Sequence, residues 1–373
     1  MEFAPYTDLN TSSRILLGPG PSMVSPRVLR AMATPLLGHL DPEFLKIMEE
    51  EQKLLRQVFQ THNELTLAIP GTGSAGMEAA LCNFIEPGDA VLLCVMGFFG
   101  ERLCEIAKRY QAQVDRLDCP WGEVFDPAQI EATLKGKAYK LVALVHAETS
   151  TGALQPGIPE IAAAAHRNGA LLVLDTVTSL GGIPVEIDNW GVDVAYSGAQ
   201  KSLSCPPGLA PLTVSERGRE VIKNRQTPVA NWYLDLNGLE KYWGQPHAYH
   251  HTAPISLHYA LREGLRMVIE EGLEARFARH RANAELFWEG LDSIDLPPLV
   301  PLSYRLATLT TPQIPPGVDD LSVRSRLLDE YNIEIAGGFG PLRGKVWRVG
   351  LMGYSSRKEN ITLLLAALES ILH

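Results

Sequence analysis

Leu171-Leu172-Val173-Leu174-Asp175 is an apolar run of strand length that ends on a carboxylate. A run with no polar face belongs to a strand covered on both sides, as in a parallel sheet wrapped by helices. The pattern recurs on either side of it. Ala90 to Val95, Leu141 to Val145, Val192 to Tyr196 and Leu209 to Val214 read as strands. Gly73 to Ile85, Gly100 to Tyr110 and Pro159 to Asn168 read as helices between them, which makes the fold class α/β. Asp41-Pro42 opens another helix, the acid as cap and the proline at the first helical position. Phe44, Met48, Leu55 and Phe59 follow at helical spacing. Leu16-Leu17-Gly18-Pro19-Gly20-Pro21 is too rich in glycine and proline for a helix or a central strand, and reads as a fixed loop. Beyond about residue 255 the signature changes: helices (Ile255 to Glu271, Leu273 to Leu291) precede short strands at Arg305 to Thr310, Glu334 to Ala336 and Val346 to Val349. The expected organisation is an amino-terminal arm (1–15), a large α/β domain (16–255) and a smaller C-terminal α+β domain (256–373).

The 373 residues are 46% hydrophobic and 20% charged, ordinary values for a globular protein with ample core. A net charge of −10 argues against a nucleic-acid partner, which needs a basic surface. The five cysteines (Cys82, Cys94, Cys104, Cys119, Cys205) form no Cys-x-x-Cys pair and read as reduced thiols. Met1 to Pro5 lacks the basic and apolar stretches of a secretion signal. No apolar stretch is long enough to span a bilayer, and Ile371-Leu372-His373 is not a peroxisomal address. The expected location is the cytoplasm, with no membrane partner.

The chemistry starts at Lys201, in Tyr196-Ser197-Gly198-Ala199-Gln200-Lys201. An amine placed after an apolar strand and a small-residue turn suits a Schiff base, or the movement of a proton on and off carbon. Asp175 ends a strand where open α/β sheets bind ligands. A Schiff-base lysine with an acidic partner for a pyridinium nitrogen is how a protein holds pyridoxal 5′-phosphate (PLP). Each residue alone has an ordinary alternative, a surface lysine or a turn-capping aspartate. They gain weight because Gly73-Ser74, Asp175 and Lys201 fall in loops on one edge of one sheet. Gly71-Thr72-Gly73-Ser74-Ala75-Gly76 is a glycine-rich turn entering a helix, suited to an anion or simply to close packing, and it is not a Walker A motif. Phe98-Phe99 would place a ring over a flat cofactor or in the core. Arg348, on an apolar strand, needs either a substrate carboxylate or a structural acid. His250-His251, read as part of a strand, would point to opposite faces, which argues against a metal.

Nearly end to end, the chain resembles the class V, fold type I PLP enzymes, and is most similar among them to the alanine–glyoxylate and serine–pyruvate (serine–glyoxylate) aminotransferases. The resemblance is carried by Leu17-Gly18-Pro19-Gly20-Pro21-Ser22, Gly71-Thr72-Gly73, Glu148-Thr149-Ser150-Thr151-Gly152, Asp175 and Ser197-Gly198-Ala199-Gln200-Lys201. Tyr249-His250-His251-Thr252, Gly337-Gly338-Phe339-Gly340 and Lys345-Val346-Trp347-Arg348-Val349-Gly350 complete it. It implies a mostly parallel seven-stranded sheet in the large domain. It also implies that Lys201 bonds the cofactor and Asp175 pairs with its ring nitrogen. Gly73, Ser74 and Gln200 would bind the phosphate, joined by Tyr249 and Thr252 from the second subunit of a homodimer. Thr149 would contact the ring's hydroxyl side, Phe99 would stack on the ring, Gly20 would line the substrate pocket and Arg348 would clamp the substrate carboxylate. Ser74 and Phe99 stand where histidine and tryptophan are usual in the animal enzymes. The implied reaction is transfer of an amino group from alanine or serine to glyoxylate. The rivals are ureidoglycine–glyoxylate and 2-aminoethylphosphonate–pyruvate transamination, a cysteine desulfurase, for which Cys205 lies too near Lys201, and a non-catalytic subunit that kept the fold.

Overall fold

The computed structural model describes residues 8–372, so residues 1–7 of the expected arm lie outside the described residues. A seven-stranded sheet forms the centre, in the order Leu65–Pro70, Leu209–Val214, Val194–Tyr196, Leu171–Asp175, Leu141–Val145, Ala90–Val95 and Gln113–Asp118. Five neighbouring strands, from Val194–Tyr196 to Gln113–Asp118, pair in parallel. Leu209–Val214 runs antiparallel to both of its neighbours. The sheet is therefore mostly parallel, and its inner strands are buried along their whole length. That matches their largely apolar sequences.

Two of the seven strands escaped the sequence reading. Gln113–Asp118 alternates exposed and half-buried positions at the sheet edge, so it has no apolar run. Leu65–Pro70 ends in a proline that runs straight into the glycine-rich turn, which weakens its signature as a central strand. The helices hold to their expected positions with shifted ends. Pro42–Phe59 is capped by Asp41, whose side chain accepts from the Glu43 N–H at 2.8 Å. Its Phe44, Met48, Leu55 and Phe59 are fully buried, worth about 1.5–3 kcal/mol each. Phe98–Arg109 begins before the expected Gly100, so Phe98 and Phe99 form its first turn.

A second apolar core gathers Phe287, Trp288, Leu327, Trp347, Leu364 and Leu368 behind a three-stranded antiparallel sheet. That sheet is made of Leu309–Thr310, Trp347–Gly350 and Ala336–Gly337. The run expected at Arg305 to Thr310 is a strand only at its end, and Glu334 to Ala336 is split between two short strands. Leu16 also departs from expectation. Ile15–Leu16 is a short strand pairing in parallel with Ile333–Glu334, and the Gly350 N–H donates to the Leu17 carbonyl at 2.8 Å. The start of the chain is thereby tied to the second core.

Candidate active site

The site lies at the carboxyl ends of the parallel strands, in the turns and loops that follow them. Asp175 is the last residue of Leu171–Asp175 and is buried. The strand register sets it beside Tyr196, so both side chains share a face. The Tyr196 hydroxyl donates to Asp175 Oδ2 at 2.7 Å, and the Val177 N–H donates to Oδ1 at 2.8 Å. Burial still raises the carboxyl to about 6, with these two donors opposing the rise.

Lys201 follows the turn after Val194–Tyr196 and is buried, its Nζ donating to the Pro19 carbonyl. Burial, then the positive charge of Arg348, lowers the amine to about 8. About a tenth is then unprotonated at pH 7, far more than for an ordinary lysine, as a nucleophile or proton carrier requires. The loop around Gly20 zips onto this turn. The Ser22 N–H donates to the Gln200 carbonyl at 2.9 Å, and Ser22 Oγ donates to the Lys201 carbonyl at 2.7 Å. Gly20 has φ +111°, and a Cβ there would fall 2.9 Å from Lys201 Nζ. Only glycine combines that backbone with that contact.

A cavity of about 150 Å³ opens between these groups. Gly73, Ser74, Phe99, Thr149, Gln200, Asp175 and Lys201 all line it. Gly73 and Ser74 begin the Gly73–Cys82 helix, whose N-cap Thr72 makes no side-chain cap, leaving first-turn amides for an anion. Thr149 Oγ1 is hydrogen-bonded to Thr178 Oγ1. Gln200 Oε1 is buried with no partner. Arg348 and Gly20 are not among the cavity walls, although both stand close enough to Lys201 to affect it. Arg348 is buried on Trp347–Gly350. Its Nε donates to the Gly337 carbonyl at 2.8 Å, its guanidinium lies 3.8 Å from the Phe339 ring centroid, and burial lowers it to about 10.

Tyr249 and Thr252 are not part of the cavity. Both are exposed, and Tyr249 packs against His39 with ring centroids 5.2 Å apart. The adjacent histidines do not lie on a strand. His250 and His251 are both buried, with their Nδ1 atoms 3.0 Å apart.

Three further groups bear on the site. Tyr196 holds Asp175 as described. Glu148 is buried, accepts from Ser150 N and Oγ at 3.0 and 2.6 Å, and is raised to about 7 by burial. Its Oε2 is buried without a partner. Arg102 lines the cavity and donates to Ser74 Oγ at 3.0 Å. It stands one helical turn beyond Phe98 and Phe99, a spacing that becomes visible once the helix is known to start at Phe98.

Residues 15–359 match the family model described as aminotransferase class-V. The chain belongs to the class-V aminotransferases. The (S)-ureidoglycine–glyoxylate transaminase of Bacillus subtilis (strain 168) is 44% identical over 383 residues, covering 98% of this chain and 92% of that one. The alanine–glyoxylate aminotransferase of Callithrix jacchus is 40% identical over 370 residues, covering 98% and 89%. The crystal structure of an alanine–glyoxylate aminotransferase from Nostoc sp. superposes with a TM-score of 0.98 at 53% identity, covering 99% of this chain and 98% of that one.

The fold is thus that of the fold type I PLP enzymes, and the cofactor of this class-V aminotransferase is PLP. The residues suit it: a buried amine of lowered pKa and a doubly held carboxylate lie in one cavity with an open helix amino terminus and an orphaned Gln200 oxygen. Among the described residues no helix is long and apolar enough to cross a membrane.

Proposed function

We propose that this aminotransferase passes the amino group of a small amino acid, alanine or serine, to glyoxylate, giving glycine and pyruvate or hydroxypyruvate. The observation that carries the reading is that, among the described residues, Arg348 is the one buried guanidinium whose charge acts on the reactive amine from outside the cofactor cavity, the buried Arg276 being spent on the Gly181 and Ser202 carbonyls and Glu271. One such cation serves one carboxylate. A dicarboxylate donor would need a second, and Arg343, five residues before Arg348, is exposed.

Bound PLP supplies an aldehyde that condenses with amines and a ring that draws electrons from the substrate carbon. The chain's own groups do the rest. Lys201 Nζ holds the cofactor and later takes the proton from the substrate Cα. Asp175, kept anionic above about pH 6 with help from Tyr196 and Val177, pairs with the ring nitrogen. Gly73, Ser74 and Gln200 would hold the phosphate, and Thr149 and Phe99, which line the same cavity, would contact the ring. Arg348 orients the carboxylate, and the loop through Gly20 roofs the amine against water. Two half-reactions at one site call for ping-pong kinetics.

A second reading is ureidoglycine–glyoxylate transamination, favoured by the 44% identity to the Bacillus protein of that name. The exposed Tyr249 and Thr252, beside Trp232 at 68% exposure, support a homodimer in which each subunit completes its neighbour's phosphate site. The two separate cores support a large and a small domain, but Ile255–Glu271 buries Tyr259, Leu261 and Leu265 in the larger core, which favours a division after that helix over one at about residue 255. A half-reaction screen of donors against the PLP form, followed by absorbance, tests the main reading. Alanine or serine should bleach the cofactor band fastest, and glyoxylate should restore it. Fast bleaching by ureidoglycine alone would replace the first reading with the second.

A further inference from the structure

We propose that Arg102 is the cationic member of the cup that holds the cofactor's phosphate. The inference rests on the reading above that the Gly73–Ser74 end of the cavity is the phosphate end.

The guanidinium lines the same cavity as Ser74, Gln200 and Lys201. Its Nη1 donates to Ser74 Oγ at 3.0 Å. Because Ser74 accepts that bond, its own hydroxyl hydrogen is free to donate elsewhere. No acid within ion-pair distance holds Arg102 among the described residues. Glu101 and Asp118 are both engaged by Arg116, and Glu78 accepts from the Tyr110 hydroxyl. Arg102 is instead braced by aromatic faces, with its guanidinium carbon 5.2 Å from the Phe98 centroid and 5.1 Å from the Phe99 centroid. A half-buried, braced guanidinium with no carboxylate partner is prepared for an anion that arrives from outside.

The charges in the site call for such a group. A phosphate monoester carries roughly −1.5 to −2 at neutral pH. Gly73, Ser74, Gln200, Tyr249 and Thr252 are all uncharged. The open helix terminus adds only about half a positive charge. Lys201 and Arg348 stand at the amine and carboxylate end, where the reaction needs them. Arg102 is the cation left at the phosphate end. Committed there, it is also unavailable to a second substrate carboxylate.

The test compares PLP with pyridoxal, which lacks the phosphate, by titrating the cofactor-free full-length protein and following fluorescence quenching. Thermal melts without cofactor confirm that each variant is folded. Arg102→Gln should weaken PLP by about 10- to 100-fold, the worth of a charge-assisted hydrogen bond, and leave pyridoxal binding unchanged. Arg102→Lys should recover part of the loss. Equal weakening of both ligands would show that Arg102 only braces the Phe98–Phe99 wall, and would overturn the proposal. So would a variant that binds both ligands as the parent does. Ser74→Asp separates this proposal from the reading beneath it, because a carboxylate at the helix start must repel the phosphate. If Ser74→Asp abolishes the preference for PLP while Arg102→Gln keeps it, only the role of Arg102 falls. If both variants keep it, the phosphate sits elsewhere and both fall.

Discussion

The seven-stranded sheet and the three-stranded C-terminal sheet both supply charged side chains to the site, and they hold them in opposite ways. Asp175 and Lys201 leave the ends of parallel strands that are buried along their length, and their titration is reset chiefly by burial. Arg348 sits on a short strand between strands of two residues each, and is held by one carbonyl and one aromatic face. The first arrangement fixes protonation, which bond-making demands. The second fixes position and leaves the guanidinium edge free, which recognition demands.

The comparison breaks most readily at Lys201. Lys201→Ala should bind PLP without a covalent link and lose transamination by more than about 1,000-fold in single-turnover absorbance. Turnover near the parent level would remove the chemical half of the contrast. Asp175→Asn keeps the shape and removes the charge, and a loss of roughly 100- to 1,000-fold in kcat is expected. Arg348→Gln should act on the other side, raising the donor KM by about 10- to 100-fold while PLP affinity is kept. A fall in kcat with unchanged KM would mean that Arg348 belongs with the chemistry.

The smallest effect is a stability slope. In the cofactor-free fold Lys201 titrates near 8 instead of 10.5. Between these values the unfolded chain binds a proton that the folded chain has released, so stability rises with pH across the window, by on the order of 3 kcal/mol in all. Asp175 does the reverse. Raised to about 6 from 3.8, it binds a proton in the folded state that the unfolded chain has lost, and stability falls as pH rises through that range. Urea midpoints should show both slopes, and Lys201→Met should flatten the upper one and, by removing a positive charge that holds Asp175 down, extend the lower one to higher pH.

The same contrast explains what could be read in the sequence. Ala90–Val95 and Leu141–Val145 are apolar on both faces and show their full extent as unbroken runs. Gln113–Asp118 carries the polar alternation of an edge, and two-residue strands such as Ala336–Gly337 leave no period to detect. In the site, Lys201 and Asp175 stood out because an ionisable residue after an apolar run needs a reason. Tyr196 and Glu148 did not, because their importance lies in partners brought by neighbouring strands and loops. Arg102 was hidden by a helix start placed two residues late, which took Phe98 and Phe99 off the helix face it shares with them.

The pairing of Ile15–Leu16 with Ile333–Glu334 bears on the order of events during translation. The roof over Lys201 is synthesised well before the anchor it pairs with. The sheet can assemble its pocket first, but the amino-terminal side of the roof gains its strand partner only once Ile333–Glu334 is in place. A chain cut short before residue 333 would therefore hold that roof chiefly through the bonds of Ser22 to the Gln200 and Lys201 carbonyls.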